Sequence, residues 1–145
     1  MLTHAEKNQP TLFIRRHCMQ ELIHAAITNN NHVASAGFLI KAGNILETQA
    51  NVTQKQLRSD TDTINFIRQQ QLQYSKNGQT ICGIYHHNHT DQRQIDHIST
   101  LYHAALAQEP SYYLLLEGDH LGRIDALLYS DRDHTSAITL TMVEK

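Results

Sequence analysis

The chain has 145 residues, 40% of them hydrophobic and 18% charged, with a formal net charge of −2. That length supports one domain with its own core and leaves too little for two. No basic block is present, which argues against nucleic acid or an anionic membrane surface as a partner, and no apolar run approaches the roughly 18 residues of a membrane span.

Two cysteines, Cys18 and Cys82, lie inside apolar stretches. They read as small buried hydrophobes in a reducing compartment rather than a disulfide framework. The start Met1-Leu2-Thr3-His4 lacks a signal-peptide profile, so a cytoplasmic protein is the expectation. The unusual total is eleven histidines.

Residues 1–10 are polar and end in Pro10, which suggests a frayed tail before a domain spanning 11–145. Thr11 to Ile14 reads as a first strand. From His17 to Thr28, the residues Met19, Leu22, Ile23, Ala26 and Ile27 recur at helical spacing, and Asn29-Asn30-Asn31 ends the helix. Ala34 to Ile40 and Ile45 to Val52 are strand-like runs joined at Gly43-Asn44, a hairpin. Asp60 or Asp62 is placed to cap a helix carrying Ile64, Ile67, Gln71 and Leu72, which Asn77-Gly78 ends. A strand follows at 80–85. Ile95, Ile98, Leu101, Tyr102, Ala105 and Leu106 form a helical stripe that enters at Asp96 and stops at Glu109-Pro110. Strands at Tyr112–Glu117, Gly122–Ser130 and Ala137–Val143 complete the set. The order predicts one α+β domain, with a mixed, largely antiparallel sheet and about three helices.

The chemistry-bearing stretch runs from Ile81 to Ser99. An apolar strand delivers His86, His87 and His89 to its C-terminal end. In an extended strand His87 and His89 share a face, roughly 6–7 Å apart. With a carboxylate from Asp91 or Asp96 they would offer three ligands to zinc, leaving a position for water. Zinc would make that water a nucleophile near neutral pH, provided a general base stood nearby. The plainer reading is a group of loop histidines in a His-rich chain, since His-x-His alone is a weak signal.

Gly37-Phe38-Leu39, Asn51, the helix from Thr63, Gly83-Ile84-Tyr85-His86 and Tyr112-Tyr113-Leu114 fall in an order that resembles the MPN (JAMM) domain family, over nearly the whole length. The resemblance implies that fold. In the family, two His and one Asp hold zinc, a Glu acts as base, and a Ser stabilises the oxyanion of a tetrahedral intermediate. The bond cleaved is usually an isopeptide to ubiquitin or a ubiquitin-like protein.

Carried over without a gap, the Glu position is Ala34 and the first His is His86. The second His position is then Asn88, the Ser position Asp96 and the Asp position Ser99. The scaffold matches while the constellation is degenerate. A register shifted by one residue keeps an alternative zinc set of His87, His89 and Asp96, still without a base, although Glu47 lies on a neighbouring strand. A one-residue slip turns every strand side chain to the other face, so the ungapped register is preferred.

The resemblance therefore implies a catalytically inactive MPN-like module that binds or scaffolds proteins and needs no cofactor. Its partner would be an active MPN subunit, a ubiquitin-like protein or a larger assembly, with the chain itself a monomer or homodimer. The alternatives are a noncanonical zinc isopeptidase or metal binding without hydrolysis. Tyr112, Tyr113 and Tyr129 read as half-buried strand residues, and His103 as a solvent-facing helix residue. His97, near a helix start where the dipole disfavours its cationic form, reads as neutral.

Overall fold

The computed structural model describes residues 11–28, 36–51, 59–87, 90–118 and 123–144. The expected tail at 1–10 lies outside them. Among the described residues the strands are β1 (Thr11–Arg15), β2 (Ala36–Ala42), β3 (Ile45–Asn51), β4 (Thr80–His87), β5 (Tyr112–Gly118), β6 (Ile124–Tyr129) and β7 (Ala137–Val143). The helices among them are α1 (Arg16–Thr28), α2 (Asp60–Ser75) and α3 (Gln92–Leu106).

Hydrogen bonding runs β1-β3-β2-β4-β5-β6-β7, and β7 returns to β1, so the sheet closes on itself. The hairpin β2–β3 and the meander β5–β6–β7 are antiparallel, as is β2–β4. The pairs β1–β3, β1–β7 and β4–β5 are parallel. The sheet is thus mixed, as expected. Closure, which pairs the first strand with the last, was not foreseen.

Two cores flank the sheet. On one side Cys18, Leu22 and Ala26 of α1, spaced one turn apart, pack on Leu12, Ile14, Leu39, Leu46, Cys82 and Tyr85. On the other side Ile67 of α2 and Leu101 and Tyr102 of α3 pack on Phe38, Ile40, Ile81, Ile84 and Tyr113. Cys18, absent from the stripe read in the sequence, is fully buried, whereas Leu72 is 66% exposed. Both thiols are free and pushed up to about 12, chiefly by burial.

Two glycines set the spacing beneath the histidines. Gly37 pairs with Tyr85 across β2 and β4, and a side chain there would collide with the Ala50 carbonyl and the Tyr85 ring. Tyr85 crosses this gap and donates its hydroxyl proton to Gln49 Oε1 at 2.8 Å. A side chain at Gly83 would run into the backbone of Tyr112 on β5.

The helix ends differ from expectation. Ser59, not Asp60 or Asp62, caps α2, its Oγ accepting from the Asp62 amide at 3.1 Å. α3 ends at Leu106 with Ala107 in the left-handed region, three residues before Pro110.

Candidate functional site

β4 delivers the histidines. A bulge opposite Leu39 and Ile40 resets its alternation, after which pairing to β2 and β5 is regular from Gly83 onward. Ile84 packs on the α2/α3 side and Tyr85 on the α1 side. His86 therefore belongs to the α2/α3 face and His87 to the opposite one. Both are buried, with exposures of 2% and 5%. Beyond them Thr90 turns the chain back, its amide donating to the His87 carbonyl at 3.0 Å and its Oγ1 accepting from the His87 amide at 3.3 Å.

His86 meets a residue that no sequence pattern singled out. His134, in the loop between β6 and β7, places its Nε2 3.2 Å from His86 Nε2. Its ring also stacks on Tyr129, the last residue of β6, at 4.6 Å between centroids. The His86 Nδ1 faces the His87 carbonyl at 3.4 Å. A carbonyl only accepts, which assigns the His86 proton to Nδ1 and leaves Nε2 to accept from His134. Burial pushes the pKa of His86 down to about 4; the His87 carbonyl opposes this, and the neighbouring imidazoles of His134 and His87 add to it.

The loop is built to hold His134 there. The Asp131 carboxylate accepts from the amides of Thr135 and Ser136 at 3.0 and 2.8 Å and from the Thr135 hydroxyl. His134 itself has φ of 59°, left-handed backbone that costs a non-glycine residue roughly 1–2 kcal/mol. Next to it, Arg132 reaches Asp96 at 3.3 Å and Glu109 at 3.8 Å, and bonds the Tyr113 side chain.

The opening of α3 differs from the sequence reading most. The helix begins at Gln92, capped by Asp91, one turn before the expected entry at Asp96. The Asp91 Oδ1 accepts from the Gln94 amide at 2.9 Å, and Gln94 Oε1 accepts from the Asp91 amide at 3.2 Å, a reciprocal capping box. Asp96 thus sits inside the helix, bonded to Gln92 Nε2 at 3.0 Å and to Arg132. Ser99 is buried a turn further on, its hydroxyl donating to the Ile95 carbonyl at 2.9 Å.

These placements correct several expectations. Neither Asp96 nor Ser99 starts the helix. Of the alternative set of His87, His89 and Asp96, Asp96 is bonded to Gln92 and Arg132, and His89 lies outside the described residues. Ala34, Asn88 and His89 lie outside the described residues. Glu47 does not approach the histidines. It pairs with Arg15 at 2.8 Å and Gln79 at 3.0 Å, and these hydrogen bonds hold its carboxyl below the usual range. It lies opposite the far end of β2, at least about 13 Å along the strand from the residue paired with His86.

Among the described residues no three His, Cys, Asp or Glu side chains converge to hold a metal ion. The residues at the zinc-ligand and oxyanion positions implied by the resemblance do not fit that metal, because Ser99 and Asp96 are committed elsewhere. His97 bonds Asp60 Oδ1 at 2.9 Å and His103 bonds Glu109 at 3.0 Å; both are exposed. Tyr112 is half-buried under the Lys41 ammonium, Tyr113 is buried, and Tyr129 joins the histidines. Among the described residues no helix is long and apolar enough to cross a membrane.

Solved structures share this architecture. A JAB1/MPN domain protein from Archaeoglobus fulgidus superposes with a TM-score of 0.55 over 92% of this chain and 98% of its own, at 9% identity. A protein from Desulfitobacterium hafniense, known from a solution structure, gives a TM-score of 0.55 over 92% of this chain and 94% of its own, at 15% identity. No protein-family model and no curated protein matches the sequence.

Proposed function

We propose that this chain, an MPN-like domain by its fold, is a non-hydrolytic module that works by binding another protein. The observation that carries this is the opening of α3. A capping box at Asp91 and Gln94 starts the helix, Asp96 serves the Arg132 network, and Ser99 closes a hydrogen bond within the helix. An MPN-type hydrolase needs a carboxylate ligand and an oxyanion donor at the mouth of the histidine strand. Here both positions have structural work instead. The strand order, the Gly37–Tyr85 packing and the paired cores persist around them, so the scaffold outlives the constellation.

The partner class that suits such a module is an active MPN subunit, a ubiquitin-like protein or an assembly containing one. Native purification of the chain, followed by size exclusion, tests this. The expected result is co-elution with a protein of that class. A chain that runs alone and cleaves a ubiquitin-like fusion would overturn it.

A further inference from the structure

Strands β6 and β7 close the sheet over only two residue pairs. Their ladder joins Leu128 to Ile138 and Tyr129 to Ala137, and from Thr139 onward β7 pairs with β1. Residues 124–127 of β6 therefore pair with β5 on one side and, among the described residues, with no strand on the other. We propose that this edge is where a partner protein docks, by adding an extended segment antiparallel to β6. Such docking rests on the protein-binding reading above and gives it a surface.

Three observations carry it. First, a strand edge without a neighbour is a row of backbone donors and acceptors, the template on which an extended peptide pairs. Second, the inward face loses its cover where the two strands part. Leu128 and Ile138 are 3% and 7% exposed, whereas Ile124, Ala126 and Leu140 are only half-buried. Met142, on the same face of β7, is 52% exposed. An apolar groove thus lies between the diverging strands, shaped for the alternate side chains of one more strand. Third, the outward face carries a specific charge. Glu117 on β5 stands directly opposite Asp125 on β6, both exposed, and among the described residues neither has an ion pair. Like charges in that position destabilise a sheet, and a cation on the incoming strand relieves them. The next pair on this face, Leu115 and Leu127, offers an apolar contact, with Leu127 38% exposed.

These faces define the segment. Antiparallel pairing is the more stable per residue. It sets an apolar residue opposite Leu127, a second opposite Ala126, a lysine or arginine opposite Asp125 and a third apolar residue opposite Ile124. The partner therefore presents an extended stretch reading apolar, apolar, cation, apolar.

The test uses the full chain and a fluorescent, end-capped peptide, Thr-Val-Leu-Val-Lys-Val-Thr, read by anisotropy and by amide hydrogen exchange. The expected result is binding that slows exchange at residues 124–127 and is lost when the peptide backbone is N-methylated. A probe with Glu in place of Lys should bind roughly fivefold weaker at low salt, with the gap closing as salt is raised. Asp125→Lys should reverse that preference; it replaces a like-charge pair with an opposite one beside Glu117, so the fold is kept. No binding, or an unreversed preference in Asp125→Lys, would overturn the surface. So would edge amides already slow in the free chain, whether a second copy, seen as a dimer by light scattering, or another part of the chain covers them. A native partner that co-elutes equally with Asp125→Lys would overturn this surface and leave the protein-binding reading standing. Probe binding at β6 by a chain that also cleaves a ubiquitin-like fusion would support the surface and overturn that reading.

Discussion

Asp91 and Gln94 satisfy each other at the opening of α3, each side chain accepting the other's backbone amide, at 2.9 and 3.2 Å. This fixes where the helix begins. It also places Asp96 and Ser99 in the second and third turns rather than at the mouth of the histidine strand. Removing the cap should be costly in a simple way. Asp91→Ala is expected to lower stability by about 1 kcal/mol, while Asp91→Asn loses only a fraction of that, as read by urea unfolding.

Ser99 provides a second check on the same element. Its hydroxyl is buried and bonded to the Ile95 carbonyl. Ser99→Ala should cost no more than about 1 kcal/mol, because the carbonyl keeps its helical partner when the hydroxyl leaves. It should not alter binding to a protein partner. A large loss of binding with unchanged stability would assign Ser99 a direct role.

Gly37 should tolerate no side chain. The Ala50 carbonyl and the Tyr85 ring already occupy that space. Gly37→Ala is expected to destabilise the fold by about 1–3 kcal/mol, measured by thermal or denaturant unfolding. Adding Tyr85→Phe should not restore it, because the ring and the carbonyl remain.

His86 makes stability depend on pH. Its folded pKa is depressed from 6.5 to about 4, with burial the leading cause. Between those values the unfolded chain binds the proton and the folded chain does not, so stability rises with pH. The contribution is fully present above about pH 6.5 and is lost as pH falls toward 4. A shift of that size corresponds to about 3 kcal/mol at most. In an NMR titration the His86 ring signals should stay in their neutral position down to near pH 5. A His86 midpoint at an ordinary value would contradict the buried, neutral assignment.

Much of the fold was legible because it is written locally. The Gly43-Asn44 turn, the last strand at Ala137–Val143 and the first helix, read from His17 and found from Arg16, all follow from spacing and turn residues. Sheet closure was not legible, since the β1–β7 pairing joins the two ends of the chain. The candidate site divides the same way. His86 stood out on its strand, but His134 is 48 residues away in a polar loop, with nothing in its neighbours to mark it. The α3 start was misplaced because the family spacing was followed over the Asp-x-x-Gln pattern at 91–94, which carries the capping signal itself. Glu47 was undecidable from strand parity, because its partners Arg15 and Gln79 each lie 32 residues away.

The most direct measurement is cleavage of a fluorogenic ubiquitin-like isopeptide by the untagged, zinc-loaded chain, with and without chelator. A non-hydrolytic module predicts release no faster than in buffer under both conditions. Release that is fast, abolished by chelator and lost in His87→Ala would contradict the account and return the histidine strand to catalysis.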